Sequence, residues 1–158
     1  MNLIVVSSVI RGIGNACGGA TMWAMVSDTI DYDNMNYINL RKYYSETLGR
    51  SALSIIHLEN GEKTEFLNTR IPVDDVPIYL RLTIEGRRAQ FFWSYDNQEY
   101  HAIGRCFATA HFSDEYCKFG EFTGTMVGIT LCRPGEALPL CRLDFFEYLA
   151  DEDRAVDD

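Results

Sequence analysis

The chain has 158 residues, 47% hydrophobic and 13% aromatic, enough for one domain with a sizeable core and too apolar for a disordered segment. Its net charge of −9 argues against nucleic acid and disfavours anionic membrane surfaces, because both need a surplus of Lys and Arg on one face. The five cysteines (Cys17, Cys106, Cys117, Cys132 and Cys141) are odd in number and form no Cys-x-x-Cys, which points away from a disulfide framework and toward the cytoplasm.

The first 30 residues differ in texture from the rest. Leu3 to Ile10 is an apolar run, interrupted by Arg11-Gly12-Ile13-Gly14-Asn15. Ala16 to Val26 then places Gly18, Gly19 and Ala20 together, a crowding that suits closely packed helices in a bilayer. Arg11 breaks the span, and neither half reaches the ~20 residues of a transmembrane helix. No basic region precedes the run, so it does not read as a secretory signal. The segment is expected to be helical.

Val9-Ile10-Arg11-Gly12-Ile13-Gly14 and Met22-Trp23-Ala24-Met25-Val26-Ser27-Asp28-Thr29-Ile30-Asp31-Tyr32 resemble a late helix of the glycoside–pentoside–hexuronide cation symporters. Asp28 and Asp31 match the acidic loop that follows that helix. The resemblance stops at Tyr32, and a carrier needs many spans, so transport by this chain is excluded. It implies a junction between a carrier fragment, residues 1–31, and a different protein.

From Tyr32 the pattern is one of short strands and turns. Asn36 to Tyr44 carries Tyr37, Leu40 and Tyr43 among polar residues, and Ser51 to Leu58 carries Leu53, Ile55 and Ile56. Asn60-Gly61 is a type I′ hairpin signal, since both central positions of that turn want positive φ. Lys63 to Ile71 is the returning strand, and Pro72 and Pro77 bracket a loop because Pro cannot donate to a sheet ladder. Ile78, Leu80, Leu82 and Ile84 alternate with Tyr79, Arg81, Thr83 and Glu85, the period of a half-buried strand. Ala89 to Tyr95 returns with Ala89, Phe91, Trp93 and Tyr95 on one face, and Glu99 to Ile103 is a short strand beyond Asp96-Asn97-Gln98. Strands at roughly ten-residue spacing predict an antiparallel sandwich.

Ser113-Asp114-Glu115-Tyr116 reads as one helical turn capped by Ser113. Phe119-Gly120-Glu121-Phe122 leads into a strand over Thr123 to Leu131, with Thr125, Val127, Ile129 and Leu131 on one face and Gly124 and Gly128 on the other. Pro134-Gly135 turns the chain, and Leu143-Asp144-Phe145-Phe146-Glu147-Tyr148 closes the sheet. Asp151 to Asp158 is an acidic tail that reads as a solvated terminus.

The stretch Ser113 to Gly128 together with Asp144 to Tyr148 resembles the C-terminal β-sandwich of family 43 glycoside hydrolases, the β-xylosidases, where "SDEY…FTGxxVG" precedes a terminal "DFxxFxY". Tyr79-Leu80-Arg81 and Tyr100-His101-Ala102-Ile103-Gly104 also fit that family. The resemblance covers residues 32–158. It implies an all-β, concanavalin-like jelly roll over residues 32–150, incomplete at its N-terminal side. A sandwich lacking strands exposes an inner face and free edges, so looseness or oligomerisation is expected unless residues 3–30 cover the gap as a helix or replacement strand. In complete members a Phe of this domain reaches the catalytic propeller and helps close the substrate pocket. Phe122 is the candidate here and Phe119 the second choice, with Cys117-Lys118-Phe119-Gly120-Glu121 longer than the family pattern.

The carboxylates do not suggest catalysis. Glycoside hydrolysis uses a pair of carboxyl groups flanking the bond, whereas Asp74-Asp75, Asp114-Glu115 and Asp151-Glu152-Asp153 are sequence neighbours on loops or the tail. Ser113 has no spacing to a His and a carboxylate that would mark a nucleophile. Gly12-Ile13-Gly14 is too short for a phosphate loop. His57, His101 and His111 lack metal-ligand spacing, and no cofactor or metal is expected.

The expectation is therefore an accessory domain that buttresses a catalytic propeller acting on short xylo-oligosaccharides and does not hydrolyse glycosides alone. Two other readings stand beside it. One is a free-standing, lectin-like carbohydrate-binding module with Trp93 or exposed Tyr residues stacking on sugar. The other is a fusion fragment with no function.

Overall fold

A computed structural model of the chain describes residues 3–11, 25–33, 36–109, 112, 126–132 and 142–150. Its strands are β1 (Leu3–Arg11), β2 (Met25–Asp33), β3 (Asn36–Ser45), β4 (Arg50–Glu59), β5 (Glu62–Pro72), β6 (Ile78–Glu85), β7 (Arg88–Ser94), β8 (His101–Ala108), β9 (Met126–Cys132) and β10 (Arg142–Ala150). They form two five-stranded sheets, ordered β10-β1-β6-β7-β8 and β5-β4-β3-β2-β9. Every pairing is antiparallel. The expected all-β concanavalin-like sandwich is the observed fold, and no helix occurs among the described residues.

The alternation read between Ile78 and Glu85 decides the core. Ile78, Leu80 and Leu82 are fully buried and Ile84 nearly so. Across the ladder Leu80 faces Trp93, Leu82 faces Phe91 and Ile84 faces Ala89, so β7 sends the same parity inward. The second sheet contributes Ile38 and Leu40 from β3 and Leu53 and Ile55 from β4. Val127 and Ile129 of β9 and Trp93 pack against this cluster. Tyr95, expected to continue the inward face of β7, lies beyond the strand end and is exposed.

Over the described parts of the N-terminal run the expected helix is replaced by strand, and residues 12–24 lie outside the described residues. Leu3–Arg11 is a strand between β10 and β6, and Met25–Asp33 is a strand between β3 and β9. The physical reason is visible in β1, where Ile4, Val5, Val6, Val9 and Ile10 are β-branched and favour an extended backbone. Its register sets Ile4, Val6, Ser8 and Ile10 beside Ile84, Leu82, Leu80 and Ile78. Tyr32, where the sequence changes texture, falls inside β2.

The turns follow the residues that make them. Asn60 and Gly61 hold φ of 49° and 84°, as the type I′ signal requires, and Asn97 holds φ 62° after Ser94. The loop between Pro72 and Pro77 is clamped from several directions. Val73 N–H donates to Ser51 O at 2.9 Å, Asp74 N–H to Tyr95 Oη at 3.0 Å, and the buried Lys42 Nζ to Val76 O at 3.1 Å.

Candidate functional site

The motif-bearing connection runs between β8 and β9, and both of its anchors are described. At its start Thr109 N–H donates to Arg87 O at 3.0 Å, and Phe112 plugs the core while its N–H donates to Thr109 O at 3.1 Å. At its far side Met126 opens β9 and pairs with Asp31. β8 is the edge of one sheet and β9 the edge of the other. Phe107 of β8 packs on Phe66 of β5 at 5.4 Å, so β8 stacks on β5 and leaves β10 and β9 at the opposite side. Its two anchors therefore stand at opposite edges of the sandwich. Ser113, Asp114, Glu115, Tyr116, Phe119 and Phe122 lie outside the described residues.

Register locates the end of the sandwich at which both anchors stand. Ala108 pairs with Arg88, Arg88 with Glu85, Glu85 with Leu3, and Ile4 with Ala150. In the second sheet Met126 pairs with Asp31, Asp31 with Tyr37, and Tyr37 with Leu58 beside the Asn60-Gly61 turn. The ring of His57 sits 6.4 Å from that of Phe107, which aligns these ends of the two sheets. Toward that end of β10 Tyr148 and Leu149 are 50% and 53% exposed, on alternate faces of the strand, while Phe146, 41% exposed, lies in the row of Ser8, Leu80 and Trp93. Exposed aromatic and aliphatic side chains gathered on one edge are the signature of an interaction surface.

Trp93 lies at the other end of β7. Tyr95 meets its ring edge-on at 5.0 Å, and His101 tilts against it at 5.3 Å. Nearby, Arg81 stacks over the Tyr100 ring at 3.6 Å, and Tyr100 Oη donates to Asn97 Oδ1 at 2.6 Å. The Asp96 carboxyl is held below its ordinary range by backbone N–H groups of Gln98 and Glu99 and by the Ser94 hydroxyl.

A polar network on the solvent side of the second sheet has no clear sequence signal. Arg41 Nε donates to Ser54 Oγ at 2.8 Å, and its Nη2 donates to Glu65 Oε1 at 2.8 Å. Arg70 Nη2 reaches the same oxygen at 3.1 Å. Burial pushes the Glu65 carboxyl up, but hydrogen bonding from Arg70 and the charge and hydrogen bond of Arg41 outweigh it and leave it below its ordinary value. Arg70 reaches Glu65 because β5 bulges between its pairings of Phe66 with Ile55 and Ile71 with Leu53. The alternation of Asn39, Arg41 and Tyr43 is legible in the sequence, whereas the bulge that brings Arg70 back is not.

Of the carboxylates weighed for chemistry, Asp74 and Asp75 take structural partners, and Asp114, Glu115, Asp151, Glu152 and Asp153 lie outside the described residues. Asp74 Oδ1 accepts from Arg50 at 2.6 Å and Asp75 Oδ1 from the Ser51 hydroxyl at 2.8 Å. No grouping of His, Cys, Asp and Glu fit to hold a metal occurs among the described residues.

The model of the β-xylosidase C-terminal concanavalin A-like domain matches residues 29–149. The chain is 31% identical over 101 residues to a β-xylosidase of Bacillus subtilis (strain 168), covering 62% of this chain and 19% of that protein. It is 33% identical over 82 residues to xylosidase/arabinosidase 43B of Humicola insolens, covering 50% of this chain and 15% of that one. The chain thus spans less than a fifth of the length of these curated relatives. Among solved structures, xylan β-1,4-xylosidase from Bacillus halodurans C-125 superposes with a TM-score of 0.80 at 23% identity, over 92% of this chain and 27% of that one. With sheet order, motif and family match in agreement, the chain belongs to the C-terminal concanavalin A-like domains of family 43 β-xylosidases.

Proposed function

We propose that this chain is a non-catalytic accessory sandwich that buttresses the catalytic propeller of a xylan-degrading β-xylosidase and helps to close its pocket over short xylo-oligosaccharides. The observation that carries the reading is a convergence. The connection bearing Phe119 and Phe122 leads into β9 at the same edge and the same end of the sandwich where Tyr148 and Leu149 are exposed. Exposed apolar side chains on the β10 edge, beside the start of β9, suit a partner domain that covers that edge. Phe122 is the proposed pocket-closing residue and Phe119 the second choice. The exposed free thiol of Cys106 supports a reducing, cytoplasmic setting.

Mixing the chain with a separately produced propeller domain of a family 43 β-xylosidase tests this. Association that fails when Tyr148→Ser and Leu149→Ser are combined, and aryl-xyloside turnover that falls with Phe122→Ala, are the expected results. Turnover by the homogeneous chain alone would refute the accessory role. A second reading, a free-standing carbohydrate-binding module, is favoured by Trp93, half-buried beside the exposed Tyr95. The resemblance of residues 1–31 to a carrier helix supports a carrier-derived origin for that segment. An intact carrier gene followed by an intact hydrolase gene in the source DNA would overturn that origin.

A further inference from the structure

Opposite the β9/β10 edge, where β5 stacks on β8, the sandwich opens into a cleft of about 430 Å³, apart from the Trp93 cluster. Two bulges build it. β5 bulges just beyond Phe66, and β8 bulges between Ile103 and Phe107, where Gly104 holds φ +72°. Bulges at sheet edges re-aim side chains. Here the second one turns Arg105 over the Phe66 and Phe107 rings, at 5.3 and 5.9 Å. Glu59 and Thr64 form the facing wall, and a second recess of about 450 Å³ shares both residues and continues past Asn60 and Glu62.

The chemistry of this lining narrows its ligand. Stacking on two rings holds the Arg105 guanidinium without using its N–H groups. No carboxylate among the described residues pairs with it. Glu59 and Glu62 bring carboxylates to the facing wall and the adjoining recess. Donors and acceptors therefore face one another above an aromatic floor. An anion would meet the two glutamates, and an apolar ligand would strand the guanidinium. A polyhydroxyl ring donates and accepts through the same groups and satisfies both walls. The volume falls in the ~300–1,000 Å³ range of small-molecule clefts.

We propose that the β5/β8 cleft is a binding site for a neutral saccharide, with Arg105 as its principal hydrogen-bond donor and Glu59 and Thr64 as its opposite wall. The site rests on its geometry, and only the choice of a xylan-type sugar as probe rests on the function proposed above. The test is titration of the ¹⁵N-labelled full chain with β-1,4-xylobiose, with glucuronate as an anionic control. Saturable shifts confined to amides of residues 57–66 and 103–108 are expected, weakened about tenfold or more by Arg105→Ala. Glu59→Gln and Thr64→Val, at surface positions, carry the test if Arg105→Ala does not fold, each weakening binding about threefold or more. Absence of saturable shifts, shifts gathered around Trp93 and Tyr95, preference for glucuronate, or binding indifferent to these substitutions would overturn the proposal. Sugar binding at the cleft without association with a propeller would sink the accessory reading alone, and the reverse would sink this inference alone.

Discussion

Replacing Gly104 by Ala asks whether the β8 bulge is held by conformation alone or also by contact. An L side chain at φ +72° costs roughly 1–2 kcal/mol. The added methyl would stand 3.0 Å from Ile55 Cδ1 and 3.1 Å from Thr69 Cγ2. Ile55 is 0% and Thr69 1% exposed, so neither has free space to yield, and forced overpacking adds about 1–3 kcal/mol. The expected loss is about 2–5 kcal/mol, a large share of the ~5–15 kcal/mol that holds a typical domain. Gly49 supplies the control, with φ +64° and nothing within 4 Å of a built Cβ. Gly49→Ala should therefore lose only the conformational part, about 1–2 kcal/mol. Urea unfolding at neutral pH, followed by tryptophan fluorescence, measures both. Equal losses for the two variants would refute the claim that β8 and β5 are in tight contact at the bulge. A loss below about 0.5 kcal/mol for Gly104→Ala would refute the backbone argument as well.

Other substitutions probe the buried polar groups and the pH response. Thr69→Val removes the hydroxyl that accepts from Ile55 N–H at 2.9 Å and donates to Phe66 O at 2.6 Å, so calorimetry should show a loss of about 2–4 kcal/mol. Lys42→Ala deletes a fully buried stem and its bond to Val76 O. A loss of about 2–4 kcal/mol is expected by denaturant titration, with Lys42→Met, which keeps the stem volume, losing less. Glu65 is depressed when folded, so its contribution is fully present above the unfolded value, about 4.3, and is lost as pH falls through the lower folded value. Glu65→Gln should melt below the parent at neutral pH, and the two melting temperatures should converge on acidification.

Much of the sandwich is written in local pattern. The alternation from Ile78 to Glu85 names its own buried face, because side chains on a strand change sides at every residue, and the Asn60-Gly61 pair names its turn because few residues accept positive φ twice. The N-terminal run misled for a local reason too. Its apolar length suits helix or strand alike, and only a vacancy between β10 and β6 settles which ladder its N–H and C=O groups join. The bulges of β5 and β8, the burial of Lys42, the reach of Arg70 to Glu65 and the cleft beneath Arg105 have no signature in sequence spacing. They depend on which strand edges meet, and pairings between residues far apart in the chain are fixed by the packed sheets and not by any one segment. The sequence by itself determined an all-β domain of β-xylosidase type with an aromatic core, since period and turn chemistry act over a few residues. Tertiary structure alone decided the two-sheet order, the strand fate of the first segment and the edge cleft, because long-range contact selects among conformations that local chemistry leaves equal.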